Sequence, residues 1–208
     1  MSHKGLFITL EGVDGCGKST QLTYLVKALE SAGHEVVQLR DPGSTRLSER
    51  VRLLLLDPAN DDMSNECELM LYEAARAQLV REVIEPALER GAVVVCDRFC
   101  DSTLAYQAGG RGLPSEMIRS ANAIGSCGLA PDVTLLFDLD PGEALARGTQ
   151  EGADRLEGQG PSFMERARAV YRDIAQQEPE RVKVIDASGP IEVVRARVNA
   201  ALRDKLAR

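Results

Sequence analysis

Short apolar runs recur along the chain, each followed by a turn or a polar residue. They are LFITL (6–10), VVQL (36–39), AVVVC (92–96), VTLLF (133–137) and VKVI (182–185). Most are β-branched and nearly continuous in apolar character, the pattern of a strand covered on both faces. The segments between them have a helical period. Leu22, Leu25, Val26 and Leu29 recur at i, i+3, i+4 and i+7, with Gly33 placed to end the helix. Residues 64–89 predict one long helix or two, ending near Pro86 to Gly91, and 115–125, 161–177 and 190–206 predict three more. Strand alternating with helix implies an α/β fold, a parallel sheet flanked by helices. GTQEGADRLEGQGP (148–161) and AGGRGLP (108–114) break the rhythm and read as mobile loops. No repeat or linker divides residues 1–208, so a single domain is expected.

Composition changes this picture little. The 208 residues are 44% hydrophobic and 27% charged, an ordinary globular balance. The formal net charge of −7 disfavours nucleic acid as a partner, and any anion site must concentrate its basic residues locally. Five cysteines without a C-x-x-C pair, and only two histidines, argue against structural zinc and against a full disulfide framework. The chain reads as cytosolic, with reduced thiols. The N-terminus reads as a first strand rather than a signal peptide, and no apolar run is long enough to span a membrane.

GVDGCGKS (12–19) fits G-x-x-x-x-G-K-[ST] and lies between a predicted strand and an amphipathic helix. Glycines let successive N–H groups turn inward, and the helix N-terminus adds partial positive charge. The pattern makes Gly12, Val13, Asp14, Gly15, Cys16 and Gly17 a phosphate cradle. Lys18 would reach the β- and γ-phosphates of a nucleoside triphosphate, and the Ser19 hydroxyl would bind Mg²⁺. Thr20 either touches phosphate or serves the first helical turn. In VVVCDRFCDSTLAYQ (93–107), Asp97 ends a strand and is placed to act on Mg²⁺ through water. Arg98 beside it could grip a phosphate with its bidentate fork, or form a surface ion pair.

The chain resembles the thymidylate kinase family over nearly its whole length. The resemblance rests on GVDGCGKST, RDPGST (40–45) followed by RLLLLD (52–57), AARAQ (74–78), DRFCDSTLAYQ (97–107) with GGRG (109–112), DRLE (154–157) and DAS (186–188). It implies a nucleoside monophosphate kinase fold with a five-stranded parallel sheet. It further implies Mg²⁺-dependent transfer of the γ-phosphate of ATP to dTMP, and a homodimer. By the same resemblance Arg98 and Arg52 hold the dTMP phosphate, and Asp41 belongs to the dTMP site. Tyr72 stands where the family places a stacking ring, although its spacing also suits a core position. Arg76 bonds the thymine carbonyl. Ser102, Thr103 and Gln107 surround the base edge, Ser102 and Thr103 also being candidate helix caps. Tyr106 packs under the sugar. Asp14, negative in a loop built for anions, is read as approaching the acceptor's 3′-hydroxyl; a turn bonding its own backbone is the alternative. Ala187 and Ser188 lie where the family wraps the adenine.

Phosphoryl transfer needs a cation over the γ-phosphate as charge spreads. The variable positions of the phosphate loop contain no arginine, so the resemblance assigns that role to a lid at about 147–160. Arg155, in the intact DRLE motif, comes before Arg147. Two rivals remain. A deoxynucleoside kinase would need a general base for a neutral hydroxyl, and Arg98 with Arg52 speak against it. A GTPase-like switch would carry N-K-x-D, which is absent.

Overall fold

The computed structural model describes residues 4–147, 155 and 159–206. Its centre is a five-stranded sheet: β1 (Leu6–Glu11), β2 (Val36–Arg40), β3 (Val93–Asp97), β4 (Val133–Asp138) and β5 (Val182–Asp186). The spatial order is β2-β3-β1-β4-β5 and every pairing is parallel. All five runs read from the sequence are strands, shifted by no more than a residue or so. Because β1 and β3 are central, the loops at their C-terminal ends open side by side, where ligands of open α/β sheets bind.

Alternation sends successive residues of β1 to opposite faces. Ile8 and Leu10 join Leu22, Leu25 and Leu29 of α1 (Lys18–Ser31) and Val194, Val198 and Leu202 of α9 (Ile191–Leu206). Phe7 points the other way, into a cluster with Leu79, Ile84, Leu88 and Phe99. A third cluster, around Leu69, Tyr106, Phe163 and Tyr171, binds α3 (Asn65–Leu79), α6 (Ser115–Gly125) and α8 (Pro161–Gln177) to the side of the sheet near β4 and β5.

The long helical stretch is continuous but not uniform. After α3, residues Val80–Ile84 form a wide π turn, in which the Glu85 N–H reaches back to Val80 O, and α4 (Glu85–Glu89) completes it. Pro86, lacking an N–H, sits in the first turn of α4. Two helices lie where the periodicity predicted none, α2 (Arg46–Leu56) and α7 (Pro141–Arg147). Thr45 caps α2 by accepting the Ser48 N–H, but Leu53 and Leu54 are exposed and blur its apolar stripe.

The expectation of a mobile loop at 108–114 is corrected for 108–110, while 111–114 form a turn and irregular chain. A short helix α5 (Cys100–Thr103) runs into a π turn over Leu104–Gly110 that packs on α8. A Cβ on Gly110 would lie 2.4 Å from the Phe163 ring, so glycine there permits close packing rather than mobility. The expected lid falls mostly outside the described residues; Arg147, Arg155, Gln159 and Gly160 are within them.

Leu10 is fully buried between layers, whereas Leu145 on α7 is 65% exposed. Leu10→Ala is expected to lower unfolding free energy by about 2–5 kcal/mol. Leu145→Ala should change it by no more than about 0.5 kcal/mol in the same urea titration.

Candidate functional site

Between β1 and α1 the chain turns through Gly12–Gly17. Gly15 takes φ +79° and lies so close to α7 that a Cβ would sit 2.1 Å from Ala144 O. Lys18 folds back into this loop. Its Nζ donates to Gly12 O at 2.8 Å and Val13 O at 2.9 Å, and contacts Cys16 Sγ at 3.6 Å. Ser19 and Thr20 are exposed in the first turn of α1, beside its unpaired N–H groups.

The loop forms one wall of a cavity of about 730 Å³. On that side lie Asp14–Gln21, Arg147, Ala187, Gly189, Ile191 and Val194. Facing them are Arg40, Asp41, Pro42, Arg52, Leu56, Tyr72 and Arg76, with Thr103, Tyr106 and Gln107. Asp97, Arg98 and Ser102 line the floor between the two groups. The structure therefore brings together most residues singled out in the sequence. Gly12, Val13, Ser188 and Arg155 are not in the lining, although the Gly12 and Val13 carbonyls hold Lys18.

Arg98 joins the two sides. It takes φ +69°, a left-handed conformation that costs a non-glycine residue free energy. Two bonds fix it: its own N–H to Leu10 O at 3.0 Å and the Phe99 N–H to Glu11 Oε1 at 2.7 Å. The guanidinium then donates to Gly12 O, Ser102 Oγ, Tyr171 Oη, Tyr106 Oη and Asp14 Oδ1, the last at 2.6 Å. Asp14 also accepts from Tyr106 Oη at 3.0 Å. Burial pushes the Asp14 carboxyl up, but Arg98, Lys18 and these hydrogen bonds outweigh it and hold it at about 2. Asp14 thus turns away from the loop's own N–H groups and toward the opposite wall.

Arg76 is 1% exposed and uses all five N–H groups. It donates to Asp41 at 2.6 Å, Glu73 at 2.7 Å, Asn122 at 2.7 Å, Thr103 at 2.6 Å and Phe99 O at 3.3 Å. Burial pushes the Asp41 and Glu73 carboxyls up against the pull of this cation, which stays charged. Asp41 Oδ1 and Glu73 Oε2 have no hydrogen-bond partner among the described residues. Tyr72, one turn earlier on α3, is buried and presents part of its ring to the cavity. Arg52 on α2 donates only to Pro42 O, at 3.1 Å, among the hydrogen bonds described.

The two arginines expected in the lid sit differently. Arg147 lines the cavity and donates to Ala187 O at 2.9 Å. Arg155 is 7% exposed, donates to Leu55 O at 2.9 Å and pairs with Glu68, which Arg111 and Gln107 also bind. Arg111 of GGRG, which sequence alone left without a role, thereby belongs to this buried charge cluster. Asp97 Oδ1 is buried without a hydrogen-bond partner among the described residues. With the Ser19 hydroxyl it forms an all-oxygen set of the kind a hard, hydrated cation such as Mg²⁺ prefers, so these residues fit that ion.

Sequence reasoning missed Glu11, Tyr171, Glu68 and Asn122. Glu11 had a readable signal, an acid ending an otherwise apolar strand directly before the loop. Tyr171 had none, because its spacing from Phe163, Ala167 and Ile174 reads as core.

A family model described as thymidylate kinase matches residues 10–198. The thymidylate kinase of Desulfosudis oleivorans is 51% identical over 205 residues, covering 95% of this chain and 96% of that one. That of Deinococcus radiodurans is 48% identical, covering 97% and 98%. The crystal structure of thymidylate kinase from Ehrlichia chaffeensis superposes with a TM-score of 0.78 at 33% identity, covering 96% and 98%.

Arg76→Ala strands two buried carboxylates and should destabilise the fold by about 3–5 kcal/mol at pH 8. Removing the cation raises both folded-state pKa values further above their unfolded values. Stability from such groups is present at low pH and lost as pH rises. The deficit of the variant should therefore narrow toward pH 5, as read by urea titrations across pH.

Proposed function

The chain belongs to the thymidylate kinase family, and we propose that it transfers the γ-phosphoryl group of ATP to dTMP. The products are dTDP and ADP, a step of dTTP synthesis. The observation that carries this reading is one cavity with the phosphate loop on one wall, Arg52 on the other and Arg98 on the floor between them, two cations suited to an acceptor phosphate. ATP occupies the loop side, between Gly12–Thr20 and Ala187–Ser188. The dTMP site is bounded by Asp41, Tyr72, Arg76, Thr103, Tyr106 and Gln107.

The acceptor oxygen is already ionised at neutral pH, so no general base is required and positioning with charge stabilisation carries the rate. Lys18 exchanges its carbonyl partners for the β- and γ-phosphates. Asp14, held ionised toward the acceptor wall, suits the 3′-hydroxyl. Arg76 reaches the base by exchanging a neutral partner, Thr103 lining the cavity and Asn122 lying outside its lining. Ser19 and Asp97, the latter through water, would hold Mg²⁺, which when bound neutralises phosphate charge. Arg147 is the lid arginine in the cavity lining, and Arg155 is held on Glu68. Its place in the cavity lining supports Arg147, ahead of Arg155, as the cation over the transferring group.

A homodimer fits the surface. Helices α2, α3 and α6 pack side by side and expose Leu54, Met70, Met117 and Ile124, the last at 77%. A second copy would cover these residues. All five cysteines are free, which suits a reducing cytoplasm. No helix among the described residues is long and apolar enough to cross a membrane. Residues 1–208 would act as one catalytic unit.

ADP release with MgATP should be fast with dTMP, slower with dUMP, and absent with thymidine or without acceptor. A methyl-sized difference separates the first two by about 1–3 kcal/mol. Turnover with thymidine would overturn the acceptor reading. Arg147→Ala should lower kcat by about 10²-fold or more, and Arg155→Ala by less; the opposite order would return the role to Arg155.

A further inference from the structure

Beneath Arg98 lies a buried carboxyl group to which neither the phosphate loop nor the acceptor contacts assign a role. Glu11 is 0% exposed. Its Oε1 accepts the Phe99 N–H, and its Oε2 lies 2.5 Å from Ser102 Oγ and 3.0 Å from Tyr171 Oη. The two hydroxyl oxygens are themselves 2.7 Å apart. Three oxygens thus make three mutual contacts at hydrogen-bond distance.

Counting protons decides what closes this ring. Each hydroxyl contributes one proton, so two of the three contacts are supplied. Arg98 Nη1 occupies a further lone pair on each hydroxyl, at 3.1 Å to Ser102 Oγ and 3.2 Å to Tyr171 Oη, and contributes nothing to the ring itself. The third proton has one remaining source, the Glu11 carboxyl. With it, Glu11 donates to Ser102, Ser102 to Tyr171, and Tyr171 back to Glu11, and every donor is used. Without it, two oxygens face each other at 2.5–3.0 Å with no hydrogen between them.

We propose that Glu11 is a positioning residue for Arg98 and works as a neutral carboxylic acid, its proton closing a ring with Ser102 and Tyr171. Held neutral, it fixes the strained Arg98 backbone through Phe99 and the guanidinium through the two hydroxyls. It does so without placing a second carboxylate beside Asp14. The guanidinium then keeps Asp14 as its paired carboxylate, with Asp97 acting on it as well, and presents its charge to the acceptor phosphate. The charges around Glu11 agree. Burial pushes its carboxyl up, Asp101 on α5 adds to this, and Ser102, Arg98 and Tyr171 pull the other way, leaving it at about 7. The Cys96 thiol on β3, itself pushed up by burial, is neutral, and Asp101 is paired with Arg181.

Ionisation of Glu11 should therefore weaken acceptor binding as pH rises through its midpoint. By reciprocity, bound dTMP should move that midpoint up. This rests on Arg98 holding the acceptor phosphate. The test is ¹³C NMR titration of the Glu11 side-chain carboxyl in the full chain, assigned through its own backbone, with and without saturating dTMP. A midpoint near 7 that rises with dTMP is expected. A midpoint at the ordinary glutamate value of about 4.3, or one that dTMP leaves unchanged or lowers, would overturn the proposal. Kinetics adds a second reading. Between pH 6.5 and 8.5 the wild-type KM for dTMP should rise about threefold or more, while Glu11→Gln, uncharged throughout, should change by less than about 1.5-fold. The acceptor phosphate's own ionisation near pH 6 acts equally on both. Identical profiles in the two proteins would sink the role of Glu11. An Arg98→Ala variant with unchanged KM for dTMP would instead sink the reading of Arg98.

Discussion

The placement of one partly buried cation, Arg98, organises the site. A guanidinium cannot shed its charge, so burying it obliges the chain to surround it with acceptors. Those acceptors come from the Gly12 carbonyl and Asp14 in the phosphate loop, Ser102 on α5, Tyr106 in the following π turn and Tyr171 on α8. Satisfying one side chain thereby ties the phosphate loop, the α5 segment with its following π turn, and helix α8 into one unit. The central position of β1 and β3 makes this possible, because Glu11 and Asp97 end adjacent strands and Arg98 follows directly.

The same rule recurs at the other buried cations. Arg76 joins α3 to β2, α5 and α6 through Asp41, Thr103 and Asn122. Arg111 and Arg155 share Glu68. In each case the positive charge is held by at least one carboxylate from another element.

Much of this was legible in the sequence. The strands were readable because burial on both faces makes them continuous apolar runs. The loop was readable because its glycines and lysine are constrained by local backbone geometry. Helix α2 was hidden, since Leu53 and Leu54 face outward and break the period. The GGRG segment misled because two glycines suggest freedom, whereas here they permit contact with Arg166 and Phe163. Among site residues, those in the loop and after β3 carried local signals. Glu11, Glu68 and Tyr171 act through partners roughly 40 to 160 positions away, and no local pattern announces such pairing. Arg155 adds another case: its intact motif names the residue, while its partner Glu68 lies 87 positions away.

Calorimetric binding of dTMP and of thymidine to wild type and to Arg98→Ala, without ATP, tests the account most directly. If Arg98 joins the loop to the acceptor by gripping its phosphate, the variant should lose tenfold or more in dTMP affinity, about 1.4 kcal/mol, while thymidine binding stays within about twofold. Equal losses for both ligands, or undiminished dTMP binding, would contradict it.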